Sequence, residues 1–407
     1  MNFPQAFSQL GLDAKSPRRT AMERFNQIGL PTRKDENWKY IDPAKWLAPQ
    51  YQLPTENKLN LVLHNDFAAY VVIHNGRFRR DMSNLDSLPA GVRVHAVRGG
   101  MAGDVQDKDG FFFLNSAFSN ERLVIEVDAG AKVEQPLEVV HVTEDSMHSA
   151  SQISLRLGAR STLKMVERFV SAGLAHSFSN RRIDAVVNES AELTLCQIQE
   201  ENERTFNINH VEATVATKSQ FQIVTLSLGG GFARHNIHCQ LAGTLARTSL
   251  HHLYLLKDEQ NADFCTLVEH QEPSTFSHQL ARGILSGKSK GVFNGTVKME
   301  RKALQSEAVQ LNRNLMLDDR AEVYTRPQLR IDADDVKASH GATVGQIDDE
   351  ELFYLQSRGI GRAESVKMLA AGFAETVFSN LPDVTIKKVL QEKTRAKLEF
   401  MDVGSII

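Results

Sequence analysis

The chain has 407 residues, 42% of them hydrophobic and 24% charged, which is enough length and apolar content for a folded protein and excludes a disordered one. A net charge of −3 leaves no basic footprint for nucleic acid or an anionic membrane surface, and no apolar run approaches the roughly 18 residues that span a bilayer. The start MNFPQAFSQLGLDAKSPRR shows no charged-then-apolar signal pattern, and the three cysteines Cys196, Cys239 and Cys265 are widely spaced, so a cytoplasmic chain with reduced, buried thiols and protein partners is expected.

Residues 1–115 read as a mixed, partly helical region. Ser16 before Pro17 is an N-cap followed by a proline at the first helical position, and Met22, Phe25 and Ile28 then recur at helical spacing. Gly29-Leu30-Pro31-Thr32 stops this helix. In the run RKDENWKYID at 33–42, Trp38 and Tyr40 are expected to anchor the segment on the body while the charges face water. Strand character returns at Ala69–Ile73, with a turn at His74-Asn75-Gly76.

Residues 116–345 show a repeat. Segments 153–169, 183–199, 211–228 and 237–256 each read as two alternating strands, hinged at Gly158, Asn188, Ala216 and Thr244, which fall 28–30 residues apart. Stacked coils of this kind bury a continuous core, which predicts a parallel β-helix; a β-sandwich is the structural competitor. Further strands are expected at 291–297 and 329–333.

The run DDVKASHGATVG at 334–345 stands where strand periodicity ends. It places Asp334, Asp335, Lys337, Ser339 and Thr343 around one histidine, His340, and reads as a connector in which Gly341 and Gly345 permit positive φ or a close approach. No HxxxH, CxxC or GxSxG signature accompanies it. The acid pairs Asp318-Asp319 and Asp348-Asp349 read as loop or N-cap residues, and His251-His252 as opposite faces of a strand. Residues 346–407 then become helical, with Leu352 and Leu355 before a stop at Gly359. Val366, Leu369, Ala370, Phe373, Ala374 and Val377 follow at helical spacing, and a third helix runs from Val384 to Met401. This tail is expected to cap the open end of the solenoid or to dock another protein, with Ala370-Ala371-Gly372 as a place of close approach.

The stretch FNGTVKMERKALQSEAVQLNRNLMLDDRAEVYTRPQLRIDADDVKASHGATVGQIDDEELFYLQSRGI at 293–360 resembles the SufB/SufD family of iron–sulfur cluster assembly proteins. GLPTRKDENWKY at 29–40 and LGGGFARHN at 228–236 are similar to its SufD branch. The resemblance covers most of the chain. It implies a mainly β fold: an N-terminal α-containing region, a right-handed parallel β-helix core and a C-terminal helical domain at 346–407. It also implies a non-catalytic scaffold subunit of a SufBCD complex. Such a subunit pairs with the paralogue SufB through the β-helix, binds the ATPase SufC through the C-terminal helices, and can form a homodimer when alone. Phe353, Tyr354 and Arg358 are the candidates for SufC contact.

His340 matches a family histidine that faces a SufB cysteine, where an iron–sulfur cluster or iron is held transiently within the complex and not stably by the isolated chain. Asp334 and Asp335 are candidates to hold the second imidazole nitrogen or to attract iron. Two departures stand out: many members have cysteine where this chain has Ala338, which removes any thiol role there, and Leu304-Gln305-Ser306-Glu307 replaces a Lys-Thr-Asp-like stretch. Gly229–Gly231 lacks the order of a phosphate cradle, so nothing supports a flavin site. A SufB-like sulfur acceptor would need an accessible interface thiol. A β-helix polysaccharide-cleaving enzyme would need export and an acidic groove.

Overall fold

Apolar and polar residues alternate over strands of about ten residues, and this pattern recurs at nearly constant spacing, so each stretch must bury one edge of its side chains against the turn before it. In a computed structural model, which describes residues 2–13, 16–54, 66–100, 108–379 and 381–401, the result is a parallel β-solenoid of about eight turns with helices at both termini. From Glu121 onward, successive strands alternate between a ten-stranded and a nine-stranded sheet. The column Met165, Leu195, Ile223, Leu250, Gln279, Gln310 and His340 is in register across the ten-stranded sheet, so one turn takes 27–31 residues.

The hinges are where the repeat placed them, with one shift. Arg160, Ser190, Lys218 and Leu245 all take positive φ near 60°, two residues after Gly158, Asn188, Ala216 and Gly243. The fourth hinge is therefore Gly243 and not Thr244. A Cβ at Gly243 would collide with the backbone of Ala216 and Thr217 one turn below, a close approach that only glycine allows.

Both outer faces of the solenoid are covered. On the nine-stranded sheet lie α1 (Phe3–Ser8), α2 (Pro17–Ile28), α3 (Ala44–Leu47) and α4 (Gly110–Phe118), whose Phe7, Phe25, Phe111 and Phe118 pack on Phe178, Phe206 and Phe232. Ser16 is the extended N-cap of α2, and Gly29 ends it with φ 75°. Trp38 is 2% exposed, 5.3 Å from Phe111, with the Arg234 guanidinium 4.0 Å from its ring centre, so the charged run at 33–42 is anchored by its aromatics as expected.

The solenoid begins before residue 116. Ala69–His74 joins the ten-stranded sheet and Val92–Arg98 lies antiparallel on Glu121–Val127, while α4 straddles the expected boundary at 115. These first strands carry no 30-residue period because Ala69–His74 precedes its parallel partner Leu137–Thr143 by 68 residues and Val92–Arg98 is antiparallel.

The tail does not cap the open end. Helices α5 (Asp349–Ser357), α6 (Arg362–Glu375) and α7 (Val384–Glu399) lie along the flank of the ten-stranded sheet. There Leu352, Val366, Ala370, Phe378, Leu390 and Leu398 cover Ile198, Leu226, Leu253, Leu255 and Ile284. Outward residues of those strands such as Ile198, Leu226, Leu253, Leu255 and Ile284 are apolar and demand cover, a larger need than the end of one turn. Asp348 caps α5 by accepting from the Glu350 and Glu351 amides, and Gly359, at φ 87°, follows the helix.

Candidate functional site

The run at 334–345 is a strand. Val336–Gly345 pairs in parallel with Ser306–Met316, and among the described residues its other edge is unpaired. Neither Gly341 nor Gly345 has positive φ, which corrects their reading as turn residues. Alternation then fixes the faces. Val336, Ala338, His340, Ala342 and Val344 stand in register with Ser306, Ala308, Gln310, Asn312 and Asn314, all buried in the solenoid interior. His340 is therefore on the interior face, but at the last turn nothing among the described residues lies above it and it is exposed.

Beneath His340 the interior changes character. The column that reads Leu195, Ile223 and Leu250 in earlier turns becomes Gln279 and then Gln310. Gln310 is fully buried, and neither its oxygen nor its nitrogen finds a protein partner; the Gln279 oxygen accepts from Thr266 at 2.8 Å while its nitrogen has none. Gly295 makes room for Gln310, since a Cβ there would strike the amide. A buried amide without a partner costs about 1–3 kcal/mol; interior side chains of earlier turns, among them Asn209, Thr225 and His252, also have polar atoms without a protein partner.

Glu322–Ile331 forms the opposite wall, with its far edge also unpaired among the described residues. Pro327 sits in that strand, which an edge tolerates and a central strand does not. The 33–42 segment reaches this wall: Tyr40 stacks on Tyr324 at 4.3 Å, Glu36 pairs with Arg326, and Asn37 accepts from Asn294 at 2.8 Å.

The structure separates some residues that the sequence placed together. His340 is four residues into its strand, about 13 Å from its start at ~3.3 Å per residue. Asp334 and Asp335, which precede the strand and are exposed, therefore do not reach the imidazole. Lys337 points the other way, to Glu307 at 2.9 Å. Among the described residues no group of three or more His, Cys, Asp and Glu is arranged to hold a metal ion.

The thiols lie away from the mouth. Cys196 is under the C-terminal helices, Cys239 is in the apolar interior with burial pushing its pKa up to about 12, and Cys265 is partly exposed on the outer face of the nine-stranded sheet. On α5, Phe353 is 72% and Tyr354 57% exposed, and the Arg358 guanidinium lies 5.2 Å from the Tyr354 ring centre. Asp349, Glu350 and Ser357 complete a shallow cleft around the two aromatics.

The sequence missed Gln310 and Gln279. One signal could have found them: stepping back one coil period from His340 lands on each in turn.

Comparison with known proteins agrees with this geometry. Residues 140–373 match the family model described as SUF system FeS cluster assembly, SufBD core domain, and residues 13–139 match the SufBD protein N-terminal region. The chain belongs to the SufBD family. It is 30% identical over 380 residues to the iron–sulfur cluster assembly protein SufD of Escherichia coli, covering 90% of this chain and 89% of that one. It is 28% identical over 400 residues to the chloroplastic protein ABCI7 of Arabidopsis thaliana (91% and 83% covered) and 26% identical over 291 residues to SufD of Bacillus subtilis (70% and 66% covered). This SufD homologue keeps the family's two-part organisation, with the division at 139/140 falling inside the strand Leu137–Thr143.

Proposed function

We propose that this chain is a non-catalytic scaffold subunit for iron–sulfur cluster assembly. In this role it pairs through the open end of its solenoid with a SufB-type paralogue, and His340 contributes to the site they share. The observation that carries the reading is the mouth itself: among the described residues, two ten-residue strands with free edges, an exposed imidazole on the inward face, and polar groups without a protein partner beneath it. A partner that adds strands to these edges would satisfy their backbone groups and roof the mouth over His340. The iron–sulfur unit is cargo, and an imidazole supplies one ligand to it while softer thiolate ligands come from elsewhere.

The exposed Phe353 and Tyr354 on α5, with Arg358, form the surface on which a SufC-type ATPase docks. An unpartnered aromatic pair beside a charged rim has the composition of a protein contact. A SufB-like sulfur acceptor is disfavoured because Ala338, two residues from His340 on the same face, brings no thiol to the mouth.

The test is anaerobic reconstitution of the copurified complex with wild-type chain, His340→Ala and His340→Cys, followed by iron and sulfide counting. The expected order of cluster yield is wild type, then His340→Cys, then His340→Ala. Equal yield for wild type and His340→Ala would reduce His340 to an ordinary edge residue.

A further inference from the structure

On the outer face of the ten-stranded sheet, two strands away from His340 and facing the opposite way, His251 and His278 form a pair. Strands Gln220–Ser227, Arg247–Leu256 and Phe276–Leu285 place Gln222, Ser249 and His278 side by side in register, and His251 follows Ser249 by two residues on the same face. His251 Nε2 lies 3.1 Å from His278 Nδ1, and His251 Nδ1 lies 3.2 Å from the Val377 carbonyl. These residues, with Gln220, Phe276 and Pro382, line a cavity of about 510 Å³ at the foot of α7.

Hydrogen-bond roles follow from the acceptor. A carbonyl only accepts, so His251 Nδ1 carries the proton and Nε2 presents a lone pair. A ring whose far nitrogen is held by a backbone carbonyl has the arrangement that orients an imidazole as a metal ligand. His251 is 2% exposed, and burial, reinforced by the neighbouring His278, keeps it neutral to about pH 4; burial also lowers His278. Two nitrogens bound at about 2.0–2.1 Å to one tetrahedral ion stand roughly 3.3–3.4 Å apart, and about 2.9 Å apart at right angles. The observed separation falls between these.

We propose that His251 and His278 bind a divalent transition-metal ion of borderline softness, such as Zn²⁺ or Co²⁺, through His251 Nε2 and His278 Nδ1. The Gln222 or Ser249 side-chain oxygen and water complete the coordination. Binding requires only that the His278 Nδ1 proton leave or move to the other ring nitrogen and that the two rings turn until their lone pairs converge. Through Val377 the ion would tie two sheet strands to the segment that leads into α7.

The test titrates the full chain with Co²⁺, followed by visible absorption, and with Zn²⁺ by calorimetry. Because His251 is buried, His278→Gln is the primary variant, with circular dichroism to establish that it is folded and His340→Ala as the control. One saturable site is expected, weakened at least tenfold in His278→Gln and unchanged in His340→Ala. Absence of a saturable site, wild-type affinity in His278→Gln, or loss in His340→Ala would each overturn the assignment.

Discussion

The two ends of the solenoid are built differently. At the first end the outermost strand of one sheet is the two-residue Arg77–Phe78, turned back by Asn75 and Gly76 at positive φ, and the other sheet closes on the antiparallel Val92–Arg98. At the last end both sheets stop at ten-residue strands whose outer edges are free among the described residues. A short or reversed strand blunts an edge, whereas a long parallel one offers a template. One interior column follows the same polarity, while a buried polar network of His141, Glu167, Gln197 and Asn209 occupies other columns of the earlier turns. Leu195, Ile223 and Leu250 fill one column near the middle, and Gln279, Gln310 and His340 continue it to the mouth. The first end terminates the fold and the last end presents it.

The comparison breaks most readily in its apolar half. Ile223→Ala removes a fully buried side chain and should cost about 2–5 kcal/mol in urea unfolding; a cost below about 1 kcal/mol would show that this half is not the stabilising one. Acid should act on the covered parts next. Burial keeps His210, His251 and His270 neutral to about pH 4 and His235 to about 3, whereas the unfolded chain protonates them near 6.5. The unfolded state therefore binds more protons as pH falls through 6.5. The stability from these groups is whole above that pH and is lost towards pH 4, by up to about 1.4 kcal/mol per pH unit per histidine. Stability that rises on acidification from pH 6.5 to 5 would contradict the burial described.

At the polar end the expected sign reverses. Gln310→Leu replaces an orphaned amide with an apolar group of similar size and should stabilise by about 1 kcal/mol while lowering cluster yield in the complex. Destabilisation would mean that the amide is satisfied within the fold. His340→Ala should change stability by less than about 1 kcal/mol, since the residue is exposed. Phe353→Ser with Tyr354→Ser should be nearly silent in unfolding yet abolish capture of the ATPase. Removing residues 346–407 would be a poor substitute, because it would strip the cover from Ile198, Leu226, Leu253 and Ile284.

Much of this was legible in the residues. Period and alternation reported the coils, Ser16-Pro17 and Gly29 marked α2, and Trp38 and Tyr40 were recognisable as anchors. His340 was singled out by the polar run around it. The strand conformation of that run was hidden by its glycines and charges, because its apolar alternation at Val336, Ala338, Ala342 and Val344 is made largely of small residues and is broken at the centre by His340. The position of the helical tail was hidden too: an apolar helix face shows that it must be covered, but not by which surface. Gln310 and Gln279 read as ordinary polar residues until register stacked them under His340.

Hydrogen–deuterium exchange on the chain alone and with a SufB-type paralogue tests the central claim most directly. Amides of 322–331 and 336–345 should gain protection on mixing, while those of 77–78 and 92–98 at the other end stay unchanged. Protection confined to the first end, or to the outer helices, would contradict assembly through the mouth.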